Sequence, residues 1–133
     1  MTTTIIANLE KLIGTPRDGA LLRYSLGSEW LKAGQPDKAA ECLRAAIAHD
    51  ANYSAAWKLL GKALSEGGDL PGAQAAYAQG IEVAEARGDV QAAKEMRVFL
   101  RRLEKSESAA ATAPLRPQAT DSGTKSASSL END

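Results

Sequence analysis

Neither sign of charge predominates in this chain: 16 basic residues stand against 17 acidic ones over 133 residues, a net −1. Bulk attraction to nucleic acid or to an anionic membrane is therefore not implied. Cysteine is almost absent. The single Cys42 excludes an internal disulfide, which makes a reducing, cytoplasmic compartment the simpler reading. No apolar run approaches the roughly 18 residues a membrane span needs. The start, Met1-Thr2-Thr3-Thr4-Ile5-Ile6, lacks the charged and apolar regions of a signal peptide. Histidine occurs once, at His49 near an expected helix C-terminus, where it caps carbonyls or meets the helix dipole. No metal-ligand cluster, no Ser-His-Asp or Cys-His arrangement and no Gly-Lys-Ser/Thr phosphate loop is present. The expectation is a protein that is not an enzyme and has no cofactor or metal.

What is there is alanine. The chain is 44% hydrophobic but only 5% aromatic, and small apolar side chains suit closely packed helices better than a β-sandwich. Ile5, Ile6, Leu9, Leu12 and Ile13 form the stripe of a short amphipathic helix over residues 4–13, capped by Thr3 or Thr4 and ended by Gly14. Alone it is too short to be stable and must dock. Thr15-Pro16-Arg17-Asp18 has the pattern of a second helix start, running to about Lys32. Gln35-Pro36-Asp37 starts a third helix, ending near His49. Asp50 or Asn52 is expected to cap a helix over 53–66, and Asp69 one over about 70–86. Asp89 is expected to cap a last helix, 90–105, with Val90, Ala93, Met96, Leu100 and Leu103 on its apolar face. Residues 106–133 are rich in Ser, Ala, Thr and Pro, with Leu115 and Leu130 the only large apolar residues. This stretch has the composition of a disordered tail.

The sequence matches itself when shifted by 34 residues. Leu26 falls on Leu60, Gly27 on Gly61, Gly34 on Gly68, Ala39 on Ala73 and Ile47 on Ile81. Bulky residues also meet: Leu43 with Tyr77, and Trp30 with Leu64. Trp57, Leu60, Gly61 and Leu64 share one helix face. Glycine inside a helix costs about 1 kcal/mol relative to alanine, so Gly27 and Gly61 indicate that another helix comes close. Each helix pair leaves apolar surface that its neighbour covers, so helices 4–13 and 90–105 are suited to cap the ends.

These residues resemble the tetratricopeptide repeat family. The second copy carries Trp57, Leu60, Gly61, Leu64, Ala73 and Tyr77. The first carries Leu26, Gly27, Trp30, Ala39, Leu43 and Ala46, with Arg23 where the family has a large apolar residue. The resemblance covers residues 20–87, as repeats 20–53 and 54–87. It implies an all-α fold of antiparallel helix pairs stacked as a short right-handed superhelix. It also implies a binding scaffold in which the first helix of each pair lines a concave groove.

Placed on that pattern, the groove-facing residues are Leu21, Tyr24, Ser28, Leu31 and Lys32, then Ala55, Lys58, Lys62, Ser65 and Glu66. For the last helix a strict shift of 34 puts Lys94 and Glu95 in the core, which is costly. Two extra residues put Ala93, Met96, Leu100 and Leu103 there instead and send Lys94, Val98 and Arg101, with Arg102 beside them, to the groove. Lys58, Lys62, Lys94 and Arg101 would then form a basic patch, with Tyr24 and Leu31 offering apolar contact. An acidic or C-terminal peptide is the expected ligand. The competing explanation is a solvated helix face. Cys42, Trp30 and Trp57 are expected to pack rather than to react or bind. The functional expectation is a non-catalytic protein–protein interaction module, an adaptor or assembly factor. A self-associating homodimer is the alternative within the fold, and a small enzyme or nucleic-acid-binding module the alternative outside it.

Overall fold

In the computed structural model, which describes residues 2–112, six helices follow one another: α1 (Thr2–Glu10), α2 (Ala20–Lys32), α3 (Pro36–His49), α4 (Ser54–Glu66), α5 (Leu70–Arg87) and α6 (Val90–Thr112). Helix α2 packs on α3, and α4 on α5. Helix α3 also meets α4, α1 lies on α2, and α6 lies on α5. Helix α4 touches α2 on one side and α6 on the other, so these three form one layer. This is the all-α arrangement of stacked antiparallel pairs that the 34-residue repeat implies.

The core follows from small residues at the helix crossings. Ala39, Ala40, Leu43, Leu60, Ala63, Ala73, Tyr77, Ala84, Ala93 and Met96 are buried in one continuous cluster. A side-chain carbon added at Gly27 would lie 2.6 Å from Leu43 Cγ, and one at Gly61 would lie 2.5 Å from Tyr77 Cε1. Close approach is thus the reason for both glycines. Gly80 has the same role, with Met96 and the Trp57 Cβ against it. A second, smaller cluster of Ile6, Leu22 and Leu26, joined by Leu9, Leu12 and Cys42, seats α1 on α2. Burial pushes the Cys42 thiol up, as expected of a packing residue. The two tryptophans are partly buried: Trp57 Nε1 donates to the Ala51 carbonyl at 2.8 Å, and Lys38 Nζ lies 4.5 Å from the Trp30 ring centre.

The turns between paired helices use glycine in equivalent places. Gly34 and Gly68 have φ of 75° and 89°, a left-handed conformation that costs glycine little. Asp69 Oδ1 accepts from Gly72 N at 3.0 Å, and Asp89 Oδ1 from Ala92 N at 3.2 Å, so both expected caps are formed.

Several boundaries differ from expectation. Helix α1 starts at Thr2, ahead of its expected caps. Helix α2 starts at Ala20 rather than near Pro16. The Thr15-Pro16-Arg17-Asp18 segment is instead a turn, closed by Asp18 N on the Thr15 carbonyl at 2.9 Å. Asp18 then serves tertiary structure: Arg23 Nε and Nη2 donate to its two carboxylate oxygens at 2.9 and 3.0 Å, and Gly14 N donates at 2.9 Å. These bonds, Arg23 foremost, hold its carboxyl well below the usual carboxylate range. They also explain why Arg23 stands where an apolar residue was expected. Neither Asp50 nor Asn52 caps α4, which begins after Tyr53 with no side-chain cap; Asp50 Oδ1 accepts from Asn52 N instead. Val90 is exposed rather than part of the apolar face. Helix α6 continues to Thr112, seven residues past the expected end at 105. The three alanines 109–111 favour that continuation. The rest of the expected tail, 113–133, lies outside the described residues.

Candidate functional site

The layer formed by α2, α4 and α6 carries two adjoining recesses. One, of about 460 Å³, is lined by Tyr24, Lys58, Leu59, Lys62, Ser65, Glu66, Tyr77 and Phe99. The other, of about 180 Å³, is lined by Ser28, Leu31, Lys32, Leu59, Lys62 and Glu66. Leu59, Lys62 and Glu66 line both, so together they form one hollow across the face of α2 and α4. The helical period places these residues: 58, 62, 65 and 66 recur along one side of α4, while 57, 60, 61 and 64 turn inward.

Five of the seven residues expected to form the site meet here. Tyr24, Ser28 and Leu31 come from α2, and Lys58 and Lys62 from α4. Tyr24 is held by stacking on Tyr53, with ring centres 5.1 Å apart. Lys94 and Arg101 are exposed and line neither recess. Helix α6 is rolled so that Glu95 and Phe99, not Lys94 and Val98, face α4. Ala93 and Met96 are buried and Leu100 and Leu103 pack on the core, as the expected displacement of two residues from the repeat frame places them, and Lys58 pairs with Glu95, 37 residues on.

That pairing changes the electrostatics. Lys58, with Gln91 at 3.1 Å, holds the Glu95 carboxyl below its ordinary range. Lys32 pairs with Glu29 at 3.2 Å. Two of the cations around the hollow are therefore already offset, and Lys94 and Arg101 lie outside it. Lys62 takes part in none of the ion pairs among the described residues.

Three residues lining the hollow, Leu59, Tyr77 and Phe99, were not among the expected site residues, nor was Glu95, the partner of Lys58. Phe99 is the only phenylalanine, four residues after Glu95 and eight after Gln91. That spacing is the one signal that could have revealed the face. It packs on Tyr77 with ring centres 5.6 Å apart, and the Arg102 guanidinium lies 5.9 Å from its ring centre.

A separate hollow of about 520 Å³ lies at the N-terminal ends of α2 and α4, lined by Leu21, Asp50, Ser54, Arg87 and Asp89 among others. Its polar groups are used by the fold. Ser54 Oγ lies 3.1 Å from Asp89 Oδ2, and Arg87 Nη1 donates to the Asn52 carbonyl at 2.6 Å. Among the described residues no group of three or more His, Cys, Asp or Glu side chains is placed to hold a metal ion. No described helix is long and apolar enough to cross a membrane.

Known proteins share this arrangement. The family described as "Tetratricopeptide repeat" matches residues 31–96. A TPR repeat-containing protein of Pseudomonas aeruginosa is 50% identical over 101 residues, covering 76% of this chain and 96% of the relative. The solution structure of protein BPP2914 from Bordetella parapertussis superposes with a TM-score of 0.69 at 44% identity, over 77% of this chain and 90% of that one. The crystal structure of the Sgt2 TPR domain from Aspergillus fumigatus gives a TM-score of 0.72 at 26% identity, over 92% and 80%. Repeats of this kind are generally protein–protein interaction modules. With two in-frame copies of the Leu-Gly helix pair, and with these relatives, the chain belongs to the tetratricopeptide repeat family.

Proposed function

We propose that this protein is a non-catalytic adaptor or assembly factor that holds a segment of a partner protein in the hollow between α2, α4 and α6. The observation that carries this reading is the convergence of Tyr24, Ser28 and Leu31 with Lys62 and Phe99 around two joined recesses. Apolar walls with one unspent cation suit a segment in which a large apolar side chain neighbours a carboxylate. A cytoplasmic partner is in keeping with the free thiol of Cys42.

Titration of acidic peptides against wild type and Lys62→Glu tests the reading. Lys62 is exposed, so the charge reversal leaves the fold intact while weakening binding by about tenfold or more. Equal affinity in both proteins would sink it.

Self-association is a second reading, favoured by the exposure of Ile5, Ile13 and Leu21. Light scattering across a concentration series separates the two. A mass that stays monomeric at every concentration removes the dimer.

A further inference from the structure

Tyr77 carries a hydroxyl that packing does not require. Its equivalent 34 residues earlier is Leu43, and both side chains perform the same task. Leu43 lies over Gly27 as Tyr77 lies over Gly61. An aliphatic side chain suffices in the first pair, so the phenol oxygen of the second is surplus to the helix crossing. Tyr77 is nonetheless only 4% exposed. Among the described residues nothing hydrogen-bonds its hydroxyl, and its proton is held more tightly through burial and then through the nearby charge of Glu66. A buried hydroxyl without a partner is unfavourable. Tyr77 lines the larger recess, where Tyr24, Leu59 and Phe99 form apolar walls and Lys62 and Glu66 the polar edge.

Resting on the reading that this hollow receives a partner, we propose that the recess over Tyr77 is the subsite for one large apolar or aromatic side chain of an extended segment that carries a neighbouring carboxylate. The Tyr77 hydroxyl donates to a main-chain carbonyl of that segment, and Lys62 pairs with a carboxylate beside the inserted side chain. Three features favour this occupant. The walls exclude water from an apolar group. Lys62 is the cation left over once Lys58 and Lys32 have paired with Glu95 and Glu29. The buried hydroxyl satisfies a carbonyl that would otherwise be stranded on insertion. Glu66 lies one helical turn after Lys62 on the same edge and repels a second carboxylate. The subsite therefore prefers a single acidic residue next to the apolar one over an acidic run. The first repeat has no equivalent, because Leu43 has no hydroxyl.

The test is an NMR titration of the isotope-labelled full chain with acetylated, amidated pentapeptides Ser-Ser-X-Glu-Ser, where X is Leu, Phe or Trp. Controls replace X by Ala, Glu by Gln, or the following Ser by a second Glu. The expected result is movement of Leu59, Tyr77 and Phe99 resonances. Affinity should fall about five- to tenfold for Tyr77→Phe, which keeps the ring and removes one hydrogen bond. Lys62→Ala should lose affinity for the Glu peptide but not for its Gln counterpart, and the double-Glu peptide should bind more weakly. Unchanged affinity in Tyr77→Phe, with Lys62→Ala still weakened, overturns the subsite and leaves the wider hollow standing. If no peptide moves those three resonances, the subsite is wrong, and if Lys62→Glu also binds acidic peptides as wild type does, so is the reading beneath it.

Discussion

The ring of Tyr77 lies against Gly61, so closely that a methyl group in place of the Gly61 hydrogen would meet Cε1 at 2.5 Å and Cζ at 2.6 Å. Those are ring atoms, not the end of a flexible chain, so the ring or the helix must move. Gly61→Ala gains helix propensity of about 1 kcal/mol but introduces overpacking of about 1–3 kcal/mol. A lowered midpoint in thermal or urea unfolding is expected. At Gly19, the N-cap of α2, an added carbon meets nothing within 4 Å, so the same substitution should cost only the roughly 0.5–1 kcal/mol by which alanine is the poorer N-cap. Equal effects at the two positions would remove close approach as the reason for Gly61.

Met96 is fully buried and seats α6 on the rest of the array. Met96→Ala should cost about 2–5 kcal/mol through lost transfer energy and the cavity left behind. Because α6 supplies Phe99 to the hollow, hydrogen exchange in α6 should rise more than in α3. Uniform loss of protection would mean that the chain unfolds as one unit and that α6 has no separate equilibrium.

Asp18 has its carboxyl held low by Arg23 and by Gly14 N–H. A carboxyl depressed in the folded state contributes stability above its unfolded pKa near 4, and that stability is lost as the pH falls from there toward the folded value. Asp18→Asn should therefore unfold at a lower temperature than wild type at pH 7. The gap should narrow steadily between pH 5 and pH 2. A gap that stays constant across that range would show that the ion pair contributes nothing.

Tyr77 behaves in the opposite sense. Burial pushes its phenol up to about 12, so the neutral form belongs to the folded state. Its contribution is complete below pH 10 and is lost as the pH rises from 10 to about 12, because the unfolded chain ionises first. Wild type should lose stability over that range relative to Tyr77→Phe, by roughly 2 kcal/mol. Ultraviolet absorbance at 295 nm should show the latest-titrating tyrosine missing from the variant, with Tyr53, whose phenol burial also pushes up, retained in both proteins. Parallel losses in both proteins would place the ionising group elsewhere.

The parts of this protein legible in its sequence are those set by local periodicity. Apolar residues recurring at helical spacing, proline and glycine at helix ends and the 34-residue echo of Leu26-Gly27 in Leu60-Gly61 identify the helix pairs and their contact face. These signals are readable because each lies within one or two turns of chain, or repeats. Thr15-Pro16 misled for the same reason. A local cap pattern was present, but Asp18 bonds more favourably to Arg23 and the Gly14 amide than to a helix start.

What only the tertiary structure decided is how the helices roll against one another. Lys58 and Lys62 belong to the repeat, and both line the larger recess. Lys94 and Arg101 belong to a helix with no following copy to fix its register. Burial of Met96 against Gly80 and the pairing of Lys58 with Glu95 determined its roll instead. With Ala93 and Met96 buried as the sequence register placed them, the roll of α6 brings Glu95 to Lys58 and Phe99 to the hollow, beside the exposed Lys94 and Val98. The hollow thereby gains the aromatic wall of Phe99, and Lys58 gains an acidic partner. Interactions 37 residues apart made that difference, and no pattern within a single helix records them.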